Sequence, residues 1–161
     1  MLTDLWQWIY DLSIVAAVRD SQWAFPILES IHIYSMIFLI VLLATFDMRL
    51  MGITIGDGKR SILMSDFSRI ILRWMWIPLL LNAATGTLLF ATRAPEYSGN
   101  WAFVTKMALI LVGVLYHLIV ILKAARWREA FVPTVRMKIV SCFSILLWVG
   151  VIVASRWIAY A

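Results

Sequence analysis

The chain has 161 residues, 63% of them apolar and only 14% charged. Soluble domains are near half apolar and about a quarter charged, so this composition excludes an ordinary water-soluble domain. The net charge of +5 is read as the mark of cytoplasmic loops in a membrane chain, and no nucleic-acid partner is expected.

In chain order, the first element is the segment from about 2 to 18. Leu5, Trp6, Ile9, Leu12, Val15 and Ala16 recur at helical spacing, and Asp4 and Asp11 interrupt the run. This pattern predicts an amphipathic helix lying in the membrane interface. No basic stretch precedes it, so a cleavable signal peptide is not expected. Four apolar runs follow, at about 25–46, 74–91, 103–122 and 139–159. Each is close to the roughly 20 residues a helix needs to cross a bilayer. The runs do not alternate with period two, and Gly and Pro are scarce, which argues against a membrane barrel. Pro26 falls at a helix start, where a proline is tolerated, and Pro78 falls inside the second run, where it is expected to kink the helix. The expected fold is all-α: a single integral membrane domain over 1–161, an up-down four-helix bundle with an N-terminal interfacial amphipathic helix.

Orientation follows from Lys and Arg. Arg49, Lys59, Arg60, Arg69 and Arg73 flank the first connection between spans, and Lys123, Arg126, Arg128, Arg136 and Lys138 flank the third. The other side has Arg19, Arg93 and Arg156, with Lys106 just inside a span. Ten basic residues against four place the two basic loops in the cytoplasm and both termini outside, as in a multi-pass protein of the cell inner (plasma) membrane. Trp6, Trp8, Trp23, Trp101 and Trp157 mark the outer interface, and Trp74, Trp76 and Trp127 the inner one; Trp148 alone falls near mid-membrane.

Ionisable residues inside spans cost roughly 2.5–3.5 kcal/mol each at the helix centre, so they are the candidates for function. They are Glu29, His32, Lys106 and His117, the two histidines being the only ones in the chain. A haem clamped by both histidines is disfavoured by depth. His32 lies about seven residues into its span and His117 about fourteen from the same side, an offset of roughly 10 Å at 1.5 Å per residue. Lys106 lies at the level of His32, and a neutral lysine amine can serve as a nitrogen ligand. Spans one and three are diagonal partners in an up-down bundle. Gly113, two helical turns after Lys106, offers a smooth surface to a macrocycle or a close helix. Each of these has a plainer reading. On composition alone Lys106 snorkels to the interface. His32 bonds Glu29 one turn earlier, and His117 bonds Asn82 or Tyr116. Asn82, Thr85 and Gly86 are helix-contact residues, Asp47 and Arg49 form an interfacial pair ending span one, and Cys142 is a small apolar residue.

Three segments then carry a family resemblance: "LESIHIYSMIFL", "ILRWMWIPLLLNAATGTLLF" and "NWAFVTKMALILVGVLYHL". Their order resembles the membrane protoporphyrinogen IX oxidases of the HemJ type and, more loosely, CopD-like membrane proteins. The matching positions are His32; Arg73, Pro78 and Gly86; and Trp101, Lys106, Tyr116 and His117. The family's mid-span Trp is Leu39 here, and "VRMKIVSCFS" stands where the family has an Asn-Glu-x-Pro stretch. The resemblance implies a b-type haem with His32 and Lys106 as axial ligands.

The expected function is therefore a membrane haem b protein in electron transfer, with porphyrin or quinol oxidation as the candidate chemistry. His32 and Lys106 hold the metal, Glu29 tunes His32, Gly113 lines the cofactor site, and His117 with Asn82 forms a secondary polar site, with a proton relay as the other expected role of His117. Beyond the lipid bilayer, further membrane subunits or a second copy are the candidate partners. The alternatives are a non-catalytic membrane subunit or scaffold and, given no evident inverted repeat, with less support, a small transporter.

Overall fold

The computed structural model describes residues 2–53, 63–97, 99–126, 132–158 and 160. Lys59, Arg60, Trp127 and Arg128, used above for orientation, lie outside the described residues, as does Ala159 at the expected end of the fourth span.

The described elements are helical throughout. The N-terminal segment forms two helices rather than one: α1 (Leu2–Tyr10) and α2 (Ser13–Asp20). Leu12 is extended (ψ 134°) and breaks the run. The corner is held by Arg19, whose guanidinium donates to the Tyr10 carbonyl at 3.1 Å and lies 4.1 Å from the centre of the Tyr10 ring.

Four long helices follow: α3 (Ala24–Leu50), α4 (Met64–Ala91), α6 (Trp101–Ala124) and α7 (Val135–Trp157), with the four-residue α5 (Ala94–Tyr97) between α4 and α6. All four are long and apolar enough to cross a membrane, and the protein is a multi-pass membrane protein. Their outward faces carry large apolar side chains such as Phe38, Val41, Ile77, Leu80, Leu111, Leu115, Leu146 and Ile152. Exposed apolar surface of that extent belongs against lipid. The first two spans are longer than expected. In particular α4 begins ten residues before Trp74, because a helix satisfies its backbone by itself and need not stop where its side chains become polar. It continues through Pro78.

The four spans form a closed ring, α3 against α4, α4 against α6, α6 against α7 and α7 against α3. Spans α3 and α6 therefore face one another across the diagonal. The apolar core runs from mid-bundle to the ends that carry the basic loops: Leu39, Leu43, Phe46 and Leu50 of α3, Met64, Ile71 and Met75 of α4, Ile121 and Ala124 of α6, and Leu147, Trp148 and Val151 of α7. Helix α3 ends there on Gly52, at φ 89°. The Ile53 N–H reaches back to the Met48 carbonyl and the Gly52 N–H to that of Arg49, a left-handed stop that glycine adopts without strain. A Cβ at Gly52 would also lie 2.5 Å from Cγ of Pro133, so the two connections at this end touch.

At the α5 end, Asn100 caps α6 by accepting the Phe103 N–H at 3.0 Å, and its amide donates to the Ile158 carbonyl at 3.1 Å. Helix α1 packs on α5 and α4, with Trp6 edge-on to Phe90 at 5.4 Å.

Candidate functional site

The polar side chains inside the bundle fall into two groups at opposite ends. The first surrounds a cavity of about 440 Å³ at the α5 end, within the range of roughly 300–1,000 Å³ typical of small-molecule and cofactor sites. Glu29 and His32 of α3, Lys106 of α6, Gly86 of α4 and Arg93 just beyond it all line this cavity. Phe90, Tyr97 and Phe103 also line it and stack on one another, with centroids 4.9–6.1 Å apart. The cavity thus has aromatic walls, two cationic side chains and one carboxylate.

His32 is the most closely specified of these groups. Its Nδ1 lies 2.9 Å from Oγ1 of Thr85. The Thr85 hydroxyl has one proton, and the Leu81 carbonyl takes it at 2.7 Å. In that arrangement Thr85 accepts from the ring and Nδ1 carries the hydrogen. That leaves Nε2 bare, and it has no hydrogen-bond partner among the described residues. The backbone around His32 is tied as well. Asn82 donates to the His32 carbonyl at 3.2 Å and to the Ser35 hydroxyl at 2.8 Å. Gly86 completes the seat: a Cβ there would sit 3.0 Å from Cε1 of His32, so the imidazole approaches a stretch of helix that offers no side chain.

These contacts correct two expectations. His32 is oriented by Thr85, and no hydrogen bond joins it to Glu29 among the described residues. Asn82 belongs to His32 and Ser35, not to His117. Lys106 is half-buried and lines the cavity. It makes no hydrogen bond or ion pair among the described residues. Gly113 does not line the cavity. It is buried against α7, where a Cβ would lie 2.8 Å from Cδ2 of Leu147 and 3.5 Å from Trp148. Of its two expected uses, close helix approach is the one realised here.

The second group is centred on His117, buried at the basic-loop end and absent from the cavity lining. Ser144 of α7 donates to Oδ2 of Asp47 at 2.6 Å. Nε2 of His117 lies 3.0 Å from the Ser144 oxygen and 3.3 Å from Asp47 Oδ2. The Trp148 indole N–H donates to Nδ1 of His117 at 3.1 Å. Asp47 is thus a core residue, 2% exposed, and not an interfacial partner of Arg49, whose guanidinium lies over the Phe67 ring. Tyr116 also turns elsewhere, its hydroxyl donating to the Val140 carbonyl at 2.8 Å.

Sequence reasoning missed Thr85, Arg93, Asp47, Ser144 and Trp148 as members of these groups. Trp148 carried a signal, since it alone stood away from the interfaces. Asp47 lay too near the end of its span to stand out.

No group of three or more His, Cys, Asp or Glu side chains positioned to hold a metal ion occurs among the described residues. Residues 22–161 match DUF6644, a family of unknown function. No curated protein matches the chain, and no solved structure does.

Proposed function

The chain belongs to the DUF6644 family of unknown function, and within that frame we propose that it is a membrane b-type haem protein working in electron transfer. The observation that supports this most directly is that His32, with Nδ1 engaged by Thr85 and Nε2 without a partner among the described residues, lines a cofactor-sized cavity. A histidine that binds a metal nearly always donates its other ring N–H to a fixed acceptor, which sets tautomer and ring orientation. Thr85 is that acceptor here.

The residues present fit the group. A macrocycle brings four nitrogens of its own, so the protein needs to add only one or two axial donors. His32 through Nε2 and Lys106 in its neutral form are the residues that would hold it. Phe90, Tyr97 and Phe103 supply flat apolar walls. Arg93, over the Phe25 ring at 5.6 Å, supplies a cation for the acidic edge of a porphyrin. Glu29 adds a carboxylate to the same wall and tunes the charge of the site. Bound haem would supply a one-electron redox centre. The chain supplies ligation, water exclusion by the aromatic stack, and a dry apolar core toward the other end of the bundle. Oxidation of a porphyrin or a quinol is the chemistry such a centre would serve, in keeping with the resemblance to HemJ-type oxidases. By the distribution of Lys and Arg the cavity opens on the outer side of the inner membrane, with both termini there.

The test is a reduced-minus-oxidised spectrum and a pyridine haem assay on the purified protein in detergent. A Soret and α-band that His32→Ala removes, and Lys106→Ala removes or shifts, would support the reading. A colourless protein that stays colourless when supplied with haem would sink it.

A further inference from the structure

The His117 group takes no part in the cavity, and its protons can be counted. The indole N–H of Trp148 can only donate, so His117 Nδ1 must present a lone pair to it. The Gly113 carbonyl, 3.3 Å from the same nitrogen, is then a neighbour and not an acceptor. The neutral ring carries its one hydrogen on Nε2, directed at Ser144 Oγ and Asp47 Oδ2. Ser144 in turn gives its hydrogen to Asp47 at 2.6 Å, the short distance typical of a hydroxyl on an ionised carboxylate. With Asp47 ionised, the arrangement holds one negative charge and no positive one.

Among the described residues nothing else at this end neutralises it. No Lys or Arg pairs with Asp47 among the described residues. The buried side chains of α4 here are Met64, Ser68, Ile71 and Met75, and those of α7 are Ser141, Ser144, Leu147 and Trp148; none is ionisable. On α6 the adjacent titratable group is Tyr116, whose hydroxyl is engaged by Val140. Arg49, on α3, is directed to Phe67. A buried single charge is costly in a membrane interior, and ionisable residues placed there commonly serve proton pathways.

We propose that Asp47, His117 and Ser144 form a buried proton-binding site, separate from the cavity, in which Trp148 decides which group receives the proton. While the indole occupies Nδ1, an incoming proton has only the Asp47 carboxylate to bind, which becomes a neutral acid. If the indole leaves, the proton binds Nδ1 instead and produces an imidazolium paired with the Asp47 carboxylate. Trp148 and Asp47 both border an apolar groove of about 80 Å³ between α3 and α7, open to the outside and lined also by Ile40, Ala44, Ile145, Val149 and Ile152, and that groove is the direction in which the indole can turn. A proton suits the site better than a metal cation, which would want several more oxygen ligands than one carboxylate and one hydroxyl provide.

Infrared difference spectra between acidic and alkaline buffers, on protein in lipid, read the first state. The expected result is the carbonyl stretch of a protonated carboxyl that disappears in Asp47→Asn. Asp47→Glu, which keeps the acid, should shift the band and assigns it where Asp47→Asn does not fold. Nitrogen NMR of labelled histidine reads the second state. Native His117 should show one bare and one protonated nitrogen, and Trp148→Phe should show two protonated nitrogens with the carboxyl band diminished. Absence of any Asp47-dependent band would overturn the site, as would a band that responds to sodium at fixed pH. A His117 spectrum unchanged in Trp148→Phe would overturn the role of the indole. Haem content does not enter these readouts, so they stand or fall apart from the cavity.

Discussion

The two histidines occupy opposite kinds of environment on the same ring of helices. His32 sits in an open seat. Its ring is held by Thr85 and lies close to Gly86, and the residue lines the cavity. His117 sits in a closed one, with both nitrogens engaged by Trp148, Ser144 and Asp47 from two other helices. The apolar core follows the same division, dense around His117 and displaced by the cavity around His32. A ligating histidine needs an unfilled valence and room in front of it, and only His32 has both. A histidine that joins helices needs every polar atom satisfied, and that describes His117.

Substitutions at the two ends should therefore separate binding from stability. The largest effect is expected from His32→Ala, which should abolish the haem spectrum with little change in the unfolding midpoint. Next is Asp47→Leu, which leaves the Ser144 hydroxyl without its acceptor and His117 with Ser144 alone. It should destabilise the bundle by about 1–3 kcal/mol, the usual result of stranding a buried polar group, as read by denaturation in detergent, with the haem spectrum intact.

Two glycines sharpen the contrast. Gly113→Ala drives a methyl to 2.8 Å from Leu147 and should cost about 1–3 kcal/mol by overpacking, without moving the spectrum. Gly86→Ala brings a methyl to 3.0 Å from the His32 ring. It should shift the haem bands or the midpoint potential while leaving stability nearly unchanged. The smallest effect is expected from Trp148→Phe, which removes one interhelical hydrogen bond worth about 0.6 kcal/mol in a membrane bundle. A loss of haem in Trp148→Phe, or a large loss of stability in Gly86→Ala, would break the proposed division between the two ends.

Much of the architecture was readable beforehand. The four spans follow from four apolar runs, which are a local property of the chain. The break between α1 and α2 was not readable, because it rests on the backbone of Leu12 and the return of Arg19 to Tyr10. The separation of His32 from His117 in depth could be obtained from helical rise alone, since rise is fixed. Their partners could not. Thr85 lies 53 positions from His32, and Ser144 lies 97 from Asp47; no pattern within a single span marks them.

The cavity with His32 and Lys106 on its wall shows the same boundary. The sequence determined that two nitrogen bases would lie at one level of a four-helix membrane bundle, because hydropathy sets the spans and helix geometry sets the height. Only the tertiary structure decided which way each base turns, that Gly86 and not Gly113 makes room beside His32, and that Asp47 closes around His117. Those outcomes depend on which helices become neighbours and on the rotation of each about its axis. Among spans that are apolar nearly all round, that rotation is decided by a few interhelical contacts and not by hydropathy.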